Sequence, residues 1–173
     1  ACGGRALADY GAKHTTISTL TDLLTCHYTD LPGIIQALQD EARNQRKAID
    51  TLTDKLIAYE VETLHASAKQ IGDLRVIIAA FDERDKGELS KLASQLTEKP
   101  ATITLIGTAG DKAHLICACS TDIDHNMNPL LQAAFTQLPG GRGGGRPNMA
   151  QGGGIAADRA SVQAALEHAA STL

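Results

Sequence analysis

Pro139–Gly154 reads PGGRGGGRPNMAQGGG and holds eight of the sixteen glycines in the chain, with Arg142 and Arg146 set among them. Glycine loses the most backbone entropy on folding and gives a core nothing to pack. So dense a run marks a place where the backbone takes positive φ or where something approaches it closely. The arginines suggest an anion, because turn amides form a concave array of donors and guanidinium is a planar fork matched to phosphate or carboxylate. A flexible linker would be Gly/Ser-rich and featureless, whereas this stretch carries Arg146-Pro147-Asn148-Met149-Ala150-Gln151 at its centre. It has no lysine, so it is not a Walker loop. Arg146 and Asn148 fall where a dinucleotide fingerprint needs its last glycine. Arg142 and Arg146 are the candidate phosphate contacts. Asn148 and Gln151 either reach sugar hydroxyls and base edges or cap the turn, and Pro147 and Met149 anchor the stretch to the body.

Composition is that of an ordinary globular chain, 43% hydrophobic and 21% charged over 173 residues, enough for one domain or two small ones. Aromatics are only 3% with no Trp, so platforms for stacking splayed bases are scarce. The net charge of −4 requires a nucleic acid to be met by a local basic patch rather than by the whole surface. Cys2, Cys26, Cys117 and Cys119 form no C-x-x-C pair. Cys117 and Cys119 share one face of a strand and read as small buried hydrophobes, which fits a reducing, cytoplasmic setting. No run of eighteen apolar residues exists, so no membrane partner is expected.

Residues 1–12 read as the tail of a truncated upstream domain. From Ala6 to Cys26 the spacing of Ile17, Leu20 and Leu24 predicts a helix. Asp30 caps a second, with Pro32 in its first turn. Between Gly33 and Gly72 no Gly or Pro interrupts the chain. Ile35, Leu38, Ala42, Gln45, Ile49, Leu52, Leu56 and Tyr59 recur at steps of three and four, a heptad seam. Such a helix would be about 60 Å long and must bury its seam, against the first helix as an antiparallel hairpin or against a second copy of the chain. Gly72 is expected to stop it. Beyond lie a buried strand at Leu74–Ala80, a helix at Lys86–Lys99, strands at Thr102–Ile106 and Ala113–Cys119, and a helix at Asn128–Leu138. The glycine stretch follows as a loop, then a helix opened by Asp158 or Ser161. The fold class is therefore α/β: a helical arm over 13–71, coiled-coil-like, then a small globular domain over 72–173 with a mixed sheet and a glycine-rich loop.

Gly143-Gly144-Gly145-Arg146-Pro147-Asn148-Met149-Ala150-Gln151-Gly152-Gly153 resembles, end to end, the signature of the DHH-associated (DHHA1-type) domain at the C-terminus of alanyl-tRNA synthetases and related free-standing editing proteins. Related phosphoesterases carry a shorter Gly-Gly-Gly-His version. The resemblance implies a long helical hairpin followed by a small α/β domain, and a nucleic-acid-binding site in Arg142, Gly143, Gly144, Gly145, Arg146, Pro147, Asn148, Gln151, Gly152 and Gly153. It implies a tRNA partner, tRNA(Ala), brought to an editing site that hydrolyses mischarged tRNA. Cys2-Gly3-Gly4 resembles the start of the zinc motif of the alanyl-tRNA editing domain. There a Cys and a His four residues on join an upstream His-x-x-x-His; Ala6 stands at the His position here. The resemblance places zinc in an upstream domain, with Cys2 as a remnant ligand and no cofactor in this stretch.

No catalytic constellation is complete. His14, His27, His65, His114, His125 and His168 are scattered, no serine sits in a nucleophile elbow, and Asp122-Ile123-Asp124-His125 reads as a short acidic loop before a helix. No hydrolase activity is expected of these residues alone. Two other readings compete with tRNA recognition. One is the substrate-binding part of a DHH-type phosphoesterase. The other is a dimerisation module in which the heptad helix is the function, as a homodimer through the arm.

Overall fold

A computed structural model describes residues 3–173, so Cys2 lies outside the described residues. The chain divides into two compact units, 1–52 and 53–173. The first holds α1 (Gly3–Leu24) and the beginning of α2 (Leu31–Ala66). Both helices form where the periodicity predicts them. Among the described residues α1 buries none, and Leu38, Ile49 and Leu52 of α2 stay exposed.

In the second unit the end of α2 is followed by β1 (Lys69–Ile71), β2 (Leu74–Phe81), α3 (Lys86–Leu96), β3 (Thr102–Thr108) and β4 (Gly110–Cys119). After these come α4 (Met127–Gln137), β5 (Arg142–Arg146), β6 (Met149–Ala157) and α5 (Arg159–Ala170). The strands form one mixed sheet in the order β1-β2-β3-β4-β6-β5. Only β2 and β3 run parallel, joined by the crossover through α3; every other neighbouring pair is antiparallel. All seven residues of β3 are buried, as expected for a central strand covered on both faces.

Side-chain alternation sorts the core into two layers. Val76, Ile103, Leu105, Leu115 and Cys117 face α4 and α5. Ile77, Ile106, Ile116 and Ala118 face α3 and the end of α2, whose Ile57 and Val61 are buried. Each such Leu or Ile contributes roughly 1.5–3 kcal/mol of burial. Ion pairs at the rim tie α2 to α3, Asp54 with Lys91, and to the segment after α3, Glu62 with Lys99, while Glu60 pairs with Arg84. Helix starts are set by side-chain caps: Asp85 accepts from Gly87 N–H, Asn126 from Asn128 N–H, and Asp158 from Ser161 N–H.

Two places differ from what the sequence predicts. Gly72, with φ of +60°, does not stop α2. The helix ends at Ala66, and Gly72 turns the short β1–β2 hairpin that the sequence reading missed. The glycine stretch is not a loop: most of it is strand, forming the β5–β6 hairpin.

Candidate functional site

The hairpin turns on Pro147-Asn148, with Arg146 opposite Met149. Main-chain carbonyls on either side of the turn are held from the body. Pro147 O accepts from Met127 N–H at 2.7 Å, and Asn148 O accepts from Cys119 N–H at 3.0 Å. The glycines let backbones approach closely. A Cβ on Gly143 would strike Gln151 O, one on Gly145 would strike Met149 O, and one on Gly153 would strike Ala113 O. On its outer side β5 meets α4. Asn128 Oδ1 accepts from Gly145 N–H at 2.9 Å, Asn128 Nδ2 donates to Gly145 O at 3.3 Å, and Gln132 Nε2 donates to Gly143 O at 3.2 Å. The Gly145 amide is therefore spoken for by a side chain, so the hairpin is not an array of free turn amides.

Register fixes which face carries the arginines. In β4, Ile116 and Ala118 belong to the α3 layer. Their β6 partners are Gln151 and Met149, whose β5 partners in turn are Gly144 and Arg146. One row further, His114 pairs with Gly153, and Gly153 with Arg142. His114, Gln151, Arg142 and Arg146 thus lie on one face, opposite α4 and α5. Helix α3 packs there over β3 and β4. All five residues of β5 are exposed, as is Gln151. Arg142 and Arg146, four residues apart on a strand, are separated by about 13 Å along it. Neither side chain makes an ion pair or hydrogen bond among the described residues. Gly144 and Gly153 add no side chain, which leaves the surface between the two guanidinium groups low, with Gln151 at its middle.

Of the ten residues singled out by sequence, Arg142, Arg146 and Gln151 come together on this face. Gly143, Gly145, Gly152 and Gly153 build the strands beneath it. Pro147 and Asn148 form the turn at its end. Sequence reading missed His114, Asn128 and Gln132. The His114 ring approaches Gln151 Oε1, with Nε2 at 3.4 Å. Burial holds His114 below its ordinary imidazole value, the Gln151 contact works the other way, and the charge of Lys86 adds to the lowering. A neutral ring can exchange hydrogen bonds with Gln151 or a ligand. The alternation of His114 with Ile116 hinted at a shared face, but only the β4–β6 register joins it to Gln151.

The Asp122 carboxylate accepts from Ala101 N–H at 2.8 Å. Among the described residues no group of three or more His, Cys, Asp or Glu is placed to hold a metal. Nor is any helix there long and apolar enough to cross a membrane.

The family model described as the DHHA1 domain matches residues 73–172. The chain is 32% identical to an alanine–tRNA ligase of a Nostoc species and 33% identical to that of Thermosynechococcus vestitus, in each case over its whole length. It spans about one fifth of the length of these curated relatives. Among solved structures, the C-Ala domain of Aquifex aeolicus alanyl-tRNA synthetase aligns with 58% of this chain and 95% of its own. Identity there is 29% and the TM-score 0.50. RecJ of Thermus thermophilus aligns with 80% of this chain and 19% of its own, at 19% identity and a TM-score of 0.52, a likeness of fold.

Proposed function

Because this chain belongs to the DHHA1 domain family, we propose that it is the nucleic-acid-binding module of an alanyl-tRNA synthetase-related protein. Its ligand is tRNA, tRNA(Ala) in particular, held by its phosphates on the β4–β6–β5 face. The relatives' names and the C-Ala likeness support the tRNA partner. The observation that carries the site is the pair of unpartnered arginines on one exposed strand, on either side of Gln151. Arg142 and Arg146 contact phosphates, each charge-assisted bond stabilising the complex by roughly 1.5–3 kcal/mol. Gln151 reaches a sugar hydroxyl or base edge, and Asn148 does so at the turn. By holding the tRNA, the module assists hydrolysis of mischarged tRNA(Ala) at a centre elsewhere in the parent protein. Zinc belongs to that centre, and Cys2 is a remnant of its motif. The protein works in the cytoplasm, with residues 13–71 as the arm and 72–173 as the binding domain.

The test is binding of labelled tRNA(Ala) across a salt series, for the native chain and for Arg142→Ala/Arg146→Ala. Loss of two phosphate contacts should weaken binding at every salt concentration and make the slope of log affinity against log salt shallower by about 1.5–2. Equal binding by the two proteins would rule out the hairpin as the phosphate site.

A second reading rests on a separate observation. Exposed Leu38, Ile49 and Leu52 continue into exposed Leu56 and Tyr59, an unpartnered heptad stripe along α2. Homodimerisation through this stripe is checked by sedimentation of the native chain beside Ile49→Lys/Leu56→Lys. A monomeric native protein at high micromolar concentration would dismiss it.

A further inference from the structure

Helix α4 touches β5 through a small set of side chains that lie outside the glycine motif. Asn128 accepts from Gly145 N–H and donates to Gly145 O, the two bonds a neighbouring strand would make to an edge residue. The same Nδ2 also donates to Asn126 Oδ1 at 3.0 Å, and Asn126 Oδ1 in turn caps α4 by accepting from Asn128 N–H. This fixes the orientation of the amide: turned the other way, it would set donor against donor at Gly145 and acceptor against acceptor at Asn126. Asn128 therefore stands in for a missing strand at the sheet edge. The groups it saturates belong to the residue next to Arg146. One turn further along α4, Gln132 Nε2 donates to Gly143 O, next to Arg142, half of the same contact.

Gly145 can supply no side chain to hold itself in place, and its close approach to Met149 O admits none. An all-glycine segment between two exposed arginines is otherwise the floppiest backbone in the sheet. A guanidinium on such a strand would lose the most freedom on meeting a phosphate.

We propose that Asn128 is a positioning residue for nucleic-acid binding. By clamping both polar groups of Gly145 it holds the Gly145–Arg146 segment in the ligand-ready conformation and so sets the direction of the Arg146 side chain. It touches no ligand itself. This rests on the phosphate role given to Arg146 above.

The test uses the whole chain with Asn128→Ala, Asn128→Asp, Arg146→Ala and the double variant Asn128→Ala/Arg146→Ala. Each is measured for amide hydrogen exchange at Gly145, thermal midpoint and affinity for labelled tRNA(Ala). Asn128→Ala should speed exchange at Gly145 and weaken tRNA binding about fivefold, the equivalent of one net hydrogen bond. Asn128→Asp keeps the acceptor for Gly145 N–H but sets a charged oxygen against Gly145 O and Asn126 Oδ1 beside the phosphate site, so Gly145 N–H stays protected while affinity falls at least as far. In the Arg146→Ala background, Asn128→Ala should weaken binding no further, an interaction that a general loss of stability would not produce. Additive losses, or faster exchange with unchanged affinity, would overturn the positioning role; unchanged exchange in Asn128→Ala would overturn the clamp itself. If Arg146→Ala alone binds as the native chain does, the phosphate reading falls and the positioning role with it, while Gly145 exchange separately reports whether the clamp exists.

Discussion

Gly144 and Gly145 are neighbours in one motif, yet the structure gives them different work. A Cβ on Gly145 would meet main-chain Met149 O, which cannot move without shifting β6, whereas a Cβ on Gly144 would find Asn128 Oδ1 at an ordinary 3.5 Å. Gly145→Ala should therefore destabilise the domain by about 1–3 kcal/mol, and Gly144→Ala by far less, as chemical denaturation of the two variants would reveal. From sequence alone these glycines were equivalent, and the anion-cradle reading treated them so. Composition cannot separate a glycine that frees an amide from one that lets two strands come close. The arginines stood out in the sequence because charged residues are unusual among so many glycines, and the structure adds that both lie exposed on one strand. His114 and Asn128 did not stand out, since their roles exist only once strands from distant parts of the chain are in register. Acid titration gives a second test at this scale. The Asp158 carboxylate is held below its ordinary value by the Ser161 hydroxyl and N–H, and Asp122 by Ser120 and the Ala101 N–H. Both carboxylates are favoured in their charged form when folded. Their stabilisation is therefore full above the ordinary carboxylate range and fades as pH falls through their lowered folded values. Asp158→Asn, which keeps a capping oxygen without the charge, should flatten the acid limb of the stability profile.

Elements differ in how plainly the chain announces them. Helices α3, α4 and α5 carry both an apolar stripe and an Asp or Asn cap, so period and punctuation agree. The parallel pair β2 and β3 shows itself as short apolar runs, as strands buried on both faces must. By contrast β5 is Arg-Gly-Gly-Gly-Arg, with no β-branched or aromatic residue. It is a strand only because β6 pairs with it and α4 pins its outer side. Three residues were too few for β1 to register as a pattern, and Gly72 was assigned to a helix end when it serves a hairpin. The heptad along α2 was correctly read as helix, but the pattern is blind to what covers it. The end of the helix is buried on the sheet through Ile57 and Val61, which lie off that seam, whereas Leu38, Leu52, Leu56 and Tyr59 on the seam stay open. Ile57→Ala should accordingly destabilise the second unit by about 2–5 kcal/mol. Leu38→Ala should leave the monomer's thermal denaturation within about 0.5 kcal/mol of the native chain.

At the scale of the whole molecule, both layers of core are built, among the described residues, from residues within 53–173. A chain of residues 53–173 should then unfold cooperatively, with a thermal midpoint within about 4 °C of the full chain by calorimetry. Broad, non-cooperative melting of that piece would show that the core draws on residues before Thr53. The overall charge of −4 sets a second condition: a nucleic acid on the β5 face would be met only locally by an acidic protein, so the proposed binding should weaken steeply with salt. The core also contains Cys117, fully buried on the central antiparallel strand, with burial pushing its thiol up to about 12. Since the thiolate is the reactive form, an alkylating reagent has almost nothing to attack while the sheet is closed. Cys117 is thus a built-in stopwatch: its rate of modification under native conditions counts openings of the central sheet, and a tRNA that binds the folded domain would slow the clock.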